Sequence, residues 1–339
     1  MPAWAQWTVT SSDGASQIKL GFLTQMQVEG LKSPGSEDWA QNVFVRRARL
    51  MLGGRIDPRT SFFIDTETAS LGKGQASGAK VVNTVVLQDV VLTRMLCRGM
   101  NIDAGMMYTP SSHHSLQSVG SLLAMDYSPF SFLQSDVTDS KGGRDYGLQS
   151  RNYFGGQHAE LRLGVFQGDR GRNATLPLRT AVRVVYYPFE ADTGFFYTGT
   201  TFGKRKLLAI GASHDAQKSY VTWAGDVSLD WPVRSDCVTL QADYMRYDGR
   251  EMFPTLPRQD ALLVEAGYTF HQVHLTPYVQ YSDRDYEDPL RSDETRWQGG
   301  FAYWFNGHRE SFKVHVTKLV RDAVSDGLQC AAEWQVLAF

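Results

Sequence analysis

Three arginines close together in the chain, followed by two acidic residues, are the side chains best suited to binding charged solutes. Arg46, Arg47 and Arg49 lie in the segment "FVRRARLMLGGRIDPRTSFFIDTE", and Asp65 and Glu67 lie in its second half. Guanidinium groups bind carboxylates and phosphates through paired hydrogen bonds, whereas carboxylates can neutralise those arginines or attract cations. The chemistry that these residues predict is ion binding.

Apolar residues alternate with these charges at a period of two, which indicates two strands. Arg47 and Arg49 share one face of the first strand, and Asp65 and Glu67 share one face of the second. The Asp-Pro pair at 57–58 predicts a tight turn between them, so the arginines come roughly opposite the carboxylates. A soluble sheet with a salt-bridged outer face and a sheet between lipid and water both fit this hairpin alone.

Two other groups of residues could act as a metal site or a catalytic centre. His113 and His114 could bind a metal, act as a base, or tune a pore by changing charge near the ordinary histidine pKa, but exposed polar side chains on a flexible loop are the favoured interpretation. Ser213, His214 and Asp215 include a nucleophile and a base, yet successive strand residues point in opposite directions. We expect no catalytic residue and no metal site.

The composition excludes whole classes of function. The 339 residues carry a formal net charge of -2, which excludes general nucleic-acid binding. No run approaches the roughly 18 apolar residues of a membrane helix. The cysteines Cys97, Cys237 and Cys330 lack metal or redox spacing, the sequence has no C-x-x-C-H haem motif, and we expect no cofactor. Cys330 lies in an alternating apolar set and is expected to be a small buried side chain.

Alternating segments of about ten residues recur along the whole chain and predict an all-β protein of about sixteen strands. One of these strands includes Val82 and Thr84. Short turns are predicted at 55–59, 96–99, 154–157, 233–236, 271–272 and 306–310, and longer links at 30–42, 70–80, 109–143, 168–177, 249–258 and 283–293. The connection at 188–202 is longer than this pattern predicts. Alternating short and long connections are typical of a transmembrane antiparallel β-barrel with short periplasmic turns and long external loops, whose closure leaves no unpaired edge.

Within a barrel, the two faces of each strand predict where the charges lie. An arginine that faces lipid at the midplane costs roughly 2 to 4 kcal/mol, so the charged faces are expected to line the lumen. The predicted lumen residues are Arg47, Arg49, Asp65, Glu67, Arg162, Arg183 and Lys313. Arg46 is out of phase and is expected on the outer wall near the external rim, where it could contact lipopolysaccharide phosphates or a neighbouring subunit.

The chain is predicted to be one barrel with a short tail. Residues 1–15 are expected to form an N-terminal tail, in which Ala3-Trp4-Ala5 is similar to a signal-peptide cleavage site, and residues 16–339 form the barrel. Tyr108 and Tyr127 belong to a set of aromatic residues near strand ends that suits the interfacial girdles of a barrel, although ordinary packing explains them equally.

Several segments resemble the phosphate-selective porin O and P family. "FVRRARLMLGGRIDPRTSFFIDTE" is similar to the basic strand, turn and acidic return strand of that family, and "GMMYTPSSHHSLQSVGSLLAMDYSPF" to its fifth strand and third loop. "GRDYGLQ" and "AELRLGVFQGD" resemble the next two strands, so the likeness covers about residues 44–170. It implies a sixteen-stranded outer-membrane porin, usually a trimer, whose third loop narrows a lumen that passes small anions.

The resemblance assigns roles to particular residues. Arg47 and Arg49 would be arginines of the pore wall, and loop 109–143 would be the constricting loop. The candidate constriction residues on this loop are His113, His114, Asp126 and Lys141. The loop has no lysine before Lys141, unlike family members that select phosphate.

These observations predict a passive channel for small hydrophilic solutes in the bacterial outer membrane. The predicted lumen mixes Arg162 and Arg183 with Glu160, Asp226 and Asp243, which favours weak selectivity, with anion or phosphate preference as a narrower hypothesis. Its partners would be outer-membrane lipid, lipopolysaccharide, small ions or solutes, and two further copies of the chain, with no nucleic acid. The alternatives are a barrel that sheathes a partner such as an electron-transfer cytochrome and, less favoured, a barrel hydrolase.

Overall fold

The computed structural model describes residues 7–82 and 85–339, and almost all of its regular structure is antiparallel strand. The predicted cleavage-site residues Ala3-Trp4-Ala5 and the predicted strand residue Thr84 lie outside the described residues. The strands are β1 (Trp7–Thr10), β2 (Gln17–Lys32), β3 (Trp39–Asp57), β4 (Thr60–Leu71), β5 (Val86–Cys97), β6 (Met100–Tyr108), β7 (Arg144–Phe154), β8 (Ala159–Phe166), β9 (Arg179–Tyr186), β10 (Leu207–Gln217), β11 (Tyr220–Val233), β12 (Asp236–Asp248), β13 (Gln259–Thr269), β14 (Leu275–Tyr286), β15 (Glu294–Trp304), β16 (Glu310–Arg321) and β17 (Gly327–Ala338).

The strands close into a ring. Each strand from β2 to β17 pairs with its neighbours in sequence, and β17 returns to pair with β2, for example Glu333 with Gln27. The ring contains sixteen strands, which confirms the predicted fold class and strand number. Among the described residues, no helix is long and apolar enough to cross a membrane.

The wall of this barrel has polar residues inside and apolar residues outside. Val43 and Val279 are 68% and 60% exposed on the outer surface, whereas the inward-facing Gln25 and Lys313 are fully buried. A protein surrounded by water would expose the polar set and bury the apolar one. The inversion is the pattern expected when lipid surrounds the barrel.

The N-terminal segment differs from the prediction of a tail over residues 1–15. Within it, Trp7–Thr10 forms the short strand β1, which pairs with Gln17–Leu20 of β2. Strand β17 pairs with the same edge of β2 only from Phe22 onward, so β1 continues that edge where β17 stops. Its backbone thereby satisfies donors and acceptors of β2 that the ring leaves unpaired.

The connections between strands define two ends of the barrel. At the short-turn end, β3–β4, β5–β6 and β11–β12 are joined through residues 58–59, 98–99 and 234–235. Loop 109–143 and the connection 249–258 emerge at the opposite, long-loop end. Two connections depart from the alternation: residues 187–206 form a long connection at the short-turn end, and residues 218–219 form a tight turn at the long-loop end.

Candidate functional site

Arg49 connects the basic strand to the acidic strand inside the lumen. Its Nη1 lies 2.8 Å from Oδ2 of Asp65, and its Nε donates to Oε2 of Glu67 over 2.7 Å. The predicted hairpin positions these groups, because Arg49 and both carboxylates project from adjacent strands to the same side. The structure therefore brings Arg49, Asp65 and Glu67 together as one buried ion-pair cluster.

Arg46 is not on the outer wall, and that prediction is wrong. The pairing of β2 with β3 shifts register here, from Gln25–Arg47 to Met26–Val45, so Arg46 is the extra residue of a β-bulge. The extra residue of a bulge breaks the alternation of the strand, so a side chain that simple alternation would place outside can point inside. Both Arg46 and Arg47 consequently reach into the lumen.

Asp126 on loop 109–143 bridges these two arginines. Arg46 Nε donates to its Oδ2 over 3.0 Å, and Arg47 Nη2 lies 2.5 Å from its Oδ1. Burial opposes ionisation, but the two guanidinium groups outweigh it and hold the pKa of Asp126 well below its ordinary value. The loop thus presents a permanent carboxylate to the basic wall.

A cavity of about 540 Å³ lies beside this bridge and is here called the arginine vestibule. Its lining includes Arg46, Arg47, Arg49, Glu67, Tyr108, Val119, Tyr127, Phe132, Lys141 and Arg144. Asp65, Asp89 and Asp126, which do not line the cavity, pair with lining arginines. Among the described residues, five cations against four carboxylates leave a formal charge of one positive unit around the vestibule.

Aromatic rings form the other part of the vestibule wall. The guanidinium carbon of Arg144 lies 3.7 Å from the ring centroid of Tyr108, close enough for a cation–π contact. The hydroxyls of Tyr108 and Tyr127 are 3.0 Å apart, and Phe132 stacks on Tyr108 with centroids 6.2 Å apart. The vestibule therefore combines cationic donors with apolar ring faces.

Apolar side chains close the vestibule toward the short-turn end. Leu23, Met51, Phe63, Val119, Leu337 and Phe339 pack together there, and this group is here called the apolar floor. The space beside it shrinks to about 30 Å³, room for about two water molecules. The ring of Phe339 lies inside the barrel, with its centroid 5.6 Å from that of Phe63.

Loop 109–143 folds into the lumen and is held from several sides. Lys313 Nζ donates to the carbonyls of Leu122 and Ala124 over 2.7 and 2.9 Å, and Arg183 Nη1 donates to the carbonyl of Ser111 over 2.6 Å. These bonds satisfy loop backbone groups that water cannot reach.

The two histidines of this loop are buried, which contradicts the expectation of exposed side chains. His113 stacks on Tyr197 with ring centroids 4.7 Å apart, and His114 Nε2 accepts from the backbone N–H of Ser128 over 3.0 Å. Burial lowers the pKa of His113 to about 4 and that of His114 to about 3. Both are therefore neutral near pH 6.5, because a buried imidazolium would lose its hydrating water.

The unusual connection 187–206 enters from the short-turn end and meets this loop. Ser118 N–H donates to the carbonyl of Tyr197, and Tyr197 N–H donates to that of Leu116, each over 2.9 Å. Gly199 passes so close that an added Cβ would lie 2.2 Å from the carbonyl oxygen of Ser121, so only glycine fits. The two segments together fill one side of the barrel and leave the arginine vestibule on the other.

The remaining predicted residues divide between these two sides. Arg162, Arg183 and Lys313 face the lumen, but the two inserted segments cover them completely. Arg162 donates to the carbonyls of Phe195 and Gly194, and Arg183 pairs with Asp226. Lys141, by contrast, is exposed and lines the vestibule.

The residues considered above as a catalytic centre or a metal site do not come together in space. Ser213 and Asp215 are buried on the inner side of β10, whereas His214 packs on Trp223, which is on the outer side. No group of three or more His, Cys, Asp or Glu side chains among the described residues could hold a metal ion. Cys237 is buried, and Cys330 is exposed on the outer wall instead of buried.

Sequence reasoning missed several residues that shape this site. Tyr108 and Tyr127 fit an interfacial girdle by position but lie in the vestibule wall. Arg144 follows loop 109–143 directly, and its place is fixed by contacts that the sequence does not show, among them the hydrogen bond from its Nε to Asp89 over 3.0 Å. The out-of-phase position of Phe339 relative to Trp334 was the available signal that its ring lies inside.

Comparisons with known proteins agree on the architecture. The family model described as phosphate-selective porin O and P matches residues 18–228. No curated protein matches the chain. Among solved structures, OmpF of Salmonella typhi in complex with daunomycin is 16% identical with a TM-score of 0.65, and the match covers 96% of this chain and 100% of OmpF. The trimer form of OmpT from Vibrio cholerae is 10% identical with a TM-score of 0.58, covering 95% of this chain and 99% of OmpT.

A third solved structure extends the likeness to a further channel. The outer-membrane channel DcaP of Acinetobacter baumannii is 12% identical with a TM-score of 0.58, and the match covers 96% of this chain and 99% of DcaP. At such identities the three structures establish the shared barrel fold alone.

Proposed function

The chain belongs to the phosphate-selective porin O and P family and is a porin channel of the bacterial outer membrane, and on that premise we propose that small anions pass preferentially through its arginine vestibule. The observation that carries this proposal is an open cavity of about 540 Å³ between the external loop and the basic wall, bordered by Arg46, Arg47, Arg49, Lys141 and Arg144. Fixed charges in a narrow bore with low-dielectric walls set the local concentration of permeating ions.

The proposed route lies off the barrel axis. Loop 109–143 from the external end and connection 187–206 from the periplasmic end fill one side, so solutes would travel along the wall formed by β3 to β7. Because four carboxylates offset most of the charge of the four arginines and Lys141, we expect a weak anion preference instead of strict phosphate selection.

The test is the reversal potential of the purified protein in planar bilayers across a potassium chloride gradient. Selectivity for chloride over potassium, lost when Arg46 and Lys141 are both replaced by Gln, supports the proposal. The exposed Arg172→Gln, on the connection between β8 and β9, is the matched control and should leave the potential unchanged. A cation-selective wild type would refute it.

The two alternatives from the sequence find less support. A sheath for a cytochrome needs an open lumen, and here loop 109–143 and connection 187–206 occupy much of it. A hydrolase needs its nucleophile and base within hydrogen-bond reach, whereas Ser213 and His214 are on opposite sides of β10. We therefore propose that the protein acts by passive diffusion and has no catalytic activity.

We also propose that three copies assemble into a trimer. OmpT of Vibrio cholerae, which shares the fold, is described in a trimer form. The measurement is the mass of the detergent-solubilised protein by light scattering, corrected for bound detergent. A mass of one chain would exclude the trimer while leaving the channel proposal intact.

A further inference from the structure

We propose that the arginine vestibule binds small amphipathic monocarboxylates, such as aromatic acids, in preference to inorganic phosphate. This inference rests on the proposed function, because it names the class of anion that uses the same cavity. Cationic donors border the upper part of the vestibule, aromatic rings flank it, and the apolar floor lies beneath. A ligand that matches all three needs one anionic end and one apolar body.

The donors available to the anionic end are those that the protein leaves unused. Arg46 pairs with Asp126 through Nε, and no hydrogen bond joins its two Nη groups to any other residue in the described ranges. Lys141 likewise has no ion-pair partner within residues 7–82 and 85–339 and lines the same cavity. These donors suffice for one carboxylate, which a guanidinium group binds through two parallel hydrogen bonds.

Inorganic phosphate fits this lining poorly. A phosphate ion needs donors on all sides to replace its water, yet the space beneath Arg49 holds only about two water molecules. Its two arginines, Arg49 and Arg144, already pair with Asp65 and Asp89, and Leu23, Met51 and Phe63 on the same border offer no donor. A small, partly apolar space whose charges are already paired disfavours a strongly hydrated ion. Val119 and Leu337 continue the same apolar surface.

An aromatic acid meets the same constriction differently. Its ring leaves water and packs against the apolar floor, Tyr127 and Phe132, and this burial of apolar surface is favourable. Its carboxylate stays hydrogen-bonded to Arg46. The stacked pair of Arg144 and Tyr108 offers a further flat surface for a ring. The vestibule therefore favours an anion whose apolar part can rest on the floor while its carboxylate stays with Arg46.

The experiment measures block of the ion current through the full-length protein in planar bilayers. Benzoate, acetate and inorganic phosphate are added separately at matched concentration and ionic strength. We expect benzoate to block with an apparent affinity at least tenfold above that of acetate and of phosphate. Comparison with acetate isolates the ring, since the two share the carboxylate.

Two variants test the two ends of the ligand. Arg46→Gln should weaken the apparent affinity of block by benzoate about tenfold. Val119→Thr keeps the shape of the side chain but adds a hydroxyl, and it should bring the apparent affinities of benzoate and acetate closer together. Arg172→Gln should change neither. Heat-modifiable migration on gels verifies that each variant is a folded barrel.

The outcomes separate this inference from the proposed function. Equal block by benzoate and acetate, or tighter block by phosphate, in a channel that still selects chloride over potassium would overturn the inference alone. A cation-selective channel would overturn both. Preferential block by benzoate that survives Arg46→Gln would remove the assigned carboxylate site.

Discussion

Arg46 Nε donates a hydrogen bond to Oδ2 of Asp126 across 3.0 Å, and this contact ties the bulge of strand β3 to the loop inside the lumen. The loop carboxylate occupies the position that a permeating anion would take against the same guanidinium group. Asp126 therefore competes with anions for the basic wall, and its removal should change permeation more than its single charge suggests.

Replacing Asp126 by Asn should raise the ratio of chloride to potassium permeability roughly threefold, because Arg46 and Arg47 lose their common counter-ion. The control is Asp136→Asn, an exposed residue of the same loop with the same change in charge. Reversal potentials in a salt gradient provide the measurement. Equal effects of the two variants would show that only total loop charge matters.

Lys313 is expected to hold the loop in place. Lys313→Met leaves the carbonyls of Leu122 and Ala124 without their donor, at a cost of about 1–3 kcal/mol for each buried group. We expect noisier open-channel current and a lower unfolding temperature. Lys318→Met, on the outer side of the same strand, serves as the control. A quiet channel in Lys313→Met would mean that the loop is anchored elsewhere.

The two histidines of loop 109–143 should not make the conductance titrate near pH 6.5. Burial lowers the pKa of His113 to about 4 and that of His114 to about 3, so both stay neutral from pH 8 to pH 5. Because the unfolded chain takes up these protons at about 6.5, the stability contributed by the neutral histidines is complete above that pH and decreases as pH falls toward 4.

The measurement is single-channel conductance and thermal stability between pH 8 and pH 3.5. We expect the wild type and the double variant His113→Ala, His114→Ala to show the same conductance at each pH down to 5, and the wild-type loop to be destabilised below that pH. The charged groups that act on His113 from the packed strands are Asp226, Arg183, Glu160 and Arg162. A step in conductance near pH 6.5 that disappears in the double variant His113→Ala, His114→Ala would contradict this prediction.

The apolar floor should limit the current. Leu337→Ala removes bulk beside Val119 and Gly120 and should roughly double the conductance, since a wider apolar constriction admits water more readily. Val336→Ala, the adjacent residue that faces outward, is the control. Unchanged conductance in Leu337→Ala would place the narrowest point elsewhere along the route.

The Arg183–Asp226 pair should matter for stability and not for selectivity. Both side chains are fully buried, with Nη1 and Oδ2 2.6 Å apart, on the filled side of the barrel. Asp226→Asn should destabilise the protein by about 3–5 kcal/mol, as expected when one partner of a buried pair loses its charge. Thermal unfolding in detergent measures the loss, and reversal potentials should match the wild type. A shifted potential would mean that ions also pass on this side.

The regular part of the barrel was predictable from alternation, because each strand must separate lipid from the polar interior. The hairpin that joins Arg49 to Asp65 and Glu67 follows from that rule. The inward position of Arg46 does not follow from alternation, because a bulge arises from the pairing of two strands and is not visible in the periodicity of a single strand. The burial of His113 is equally invisible in sequence, since it depends on connection 187–206 meeting loop 109–143, and contacts between irregular segments have no period.

The inward ring of Phe339 has a practical consequence for handling the protein. Any residue joined to Phe339 starts beside the apolar floor, at the periplasmic mouth of the proposed route. An affinity tag fused there would sit where solutes leave, and electrical recordings from such a fusion would report the tag together with the pore. A tag inserted into the exposed turn at Arg250 and Glu251, on the external end and away from the vestibule, avoids this interference.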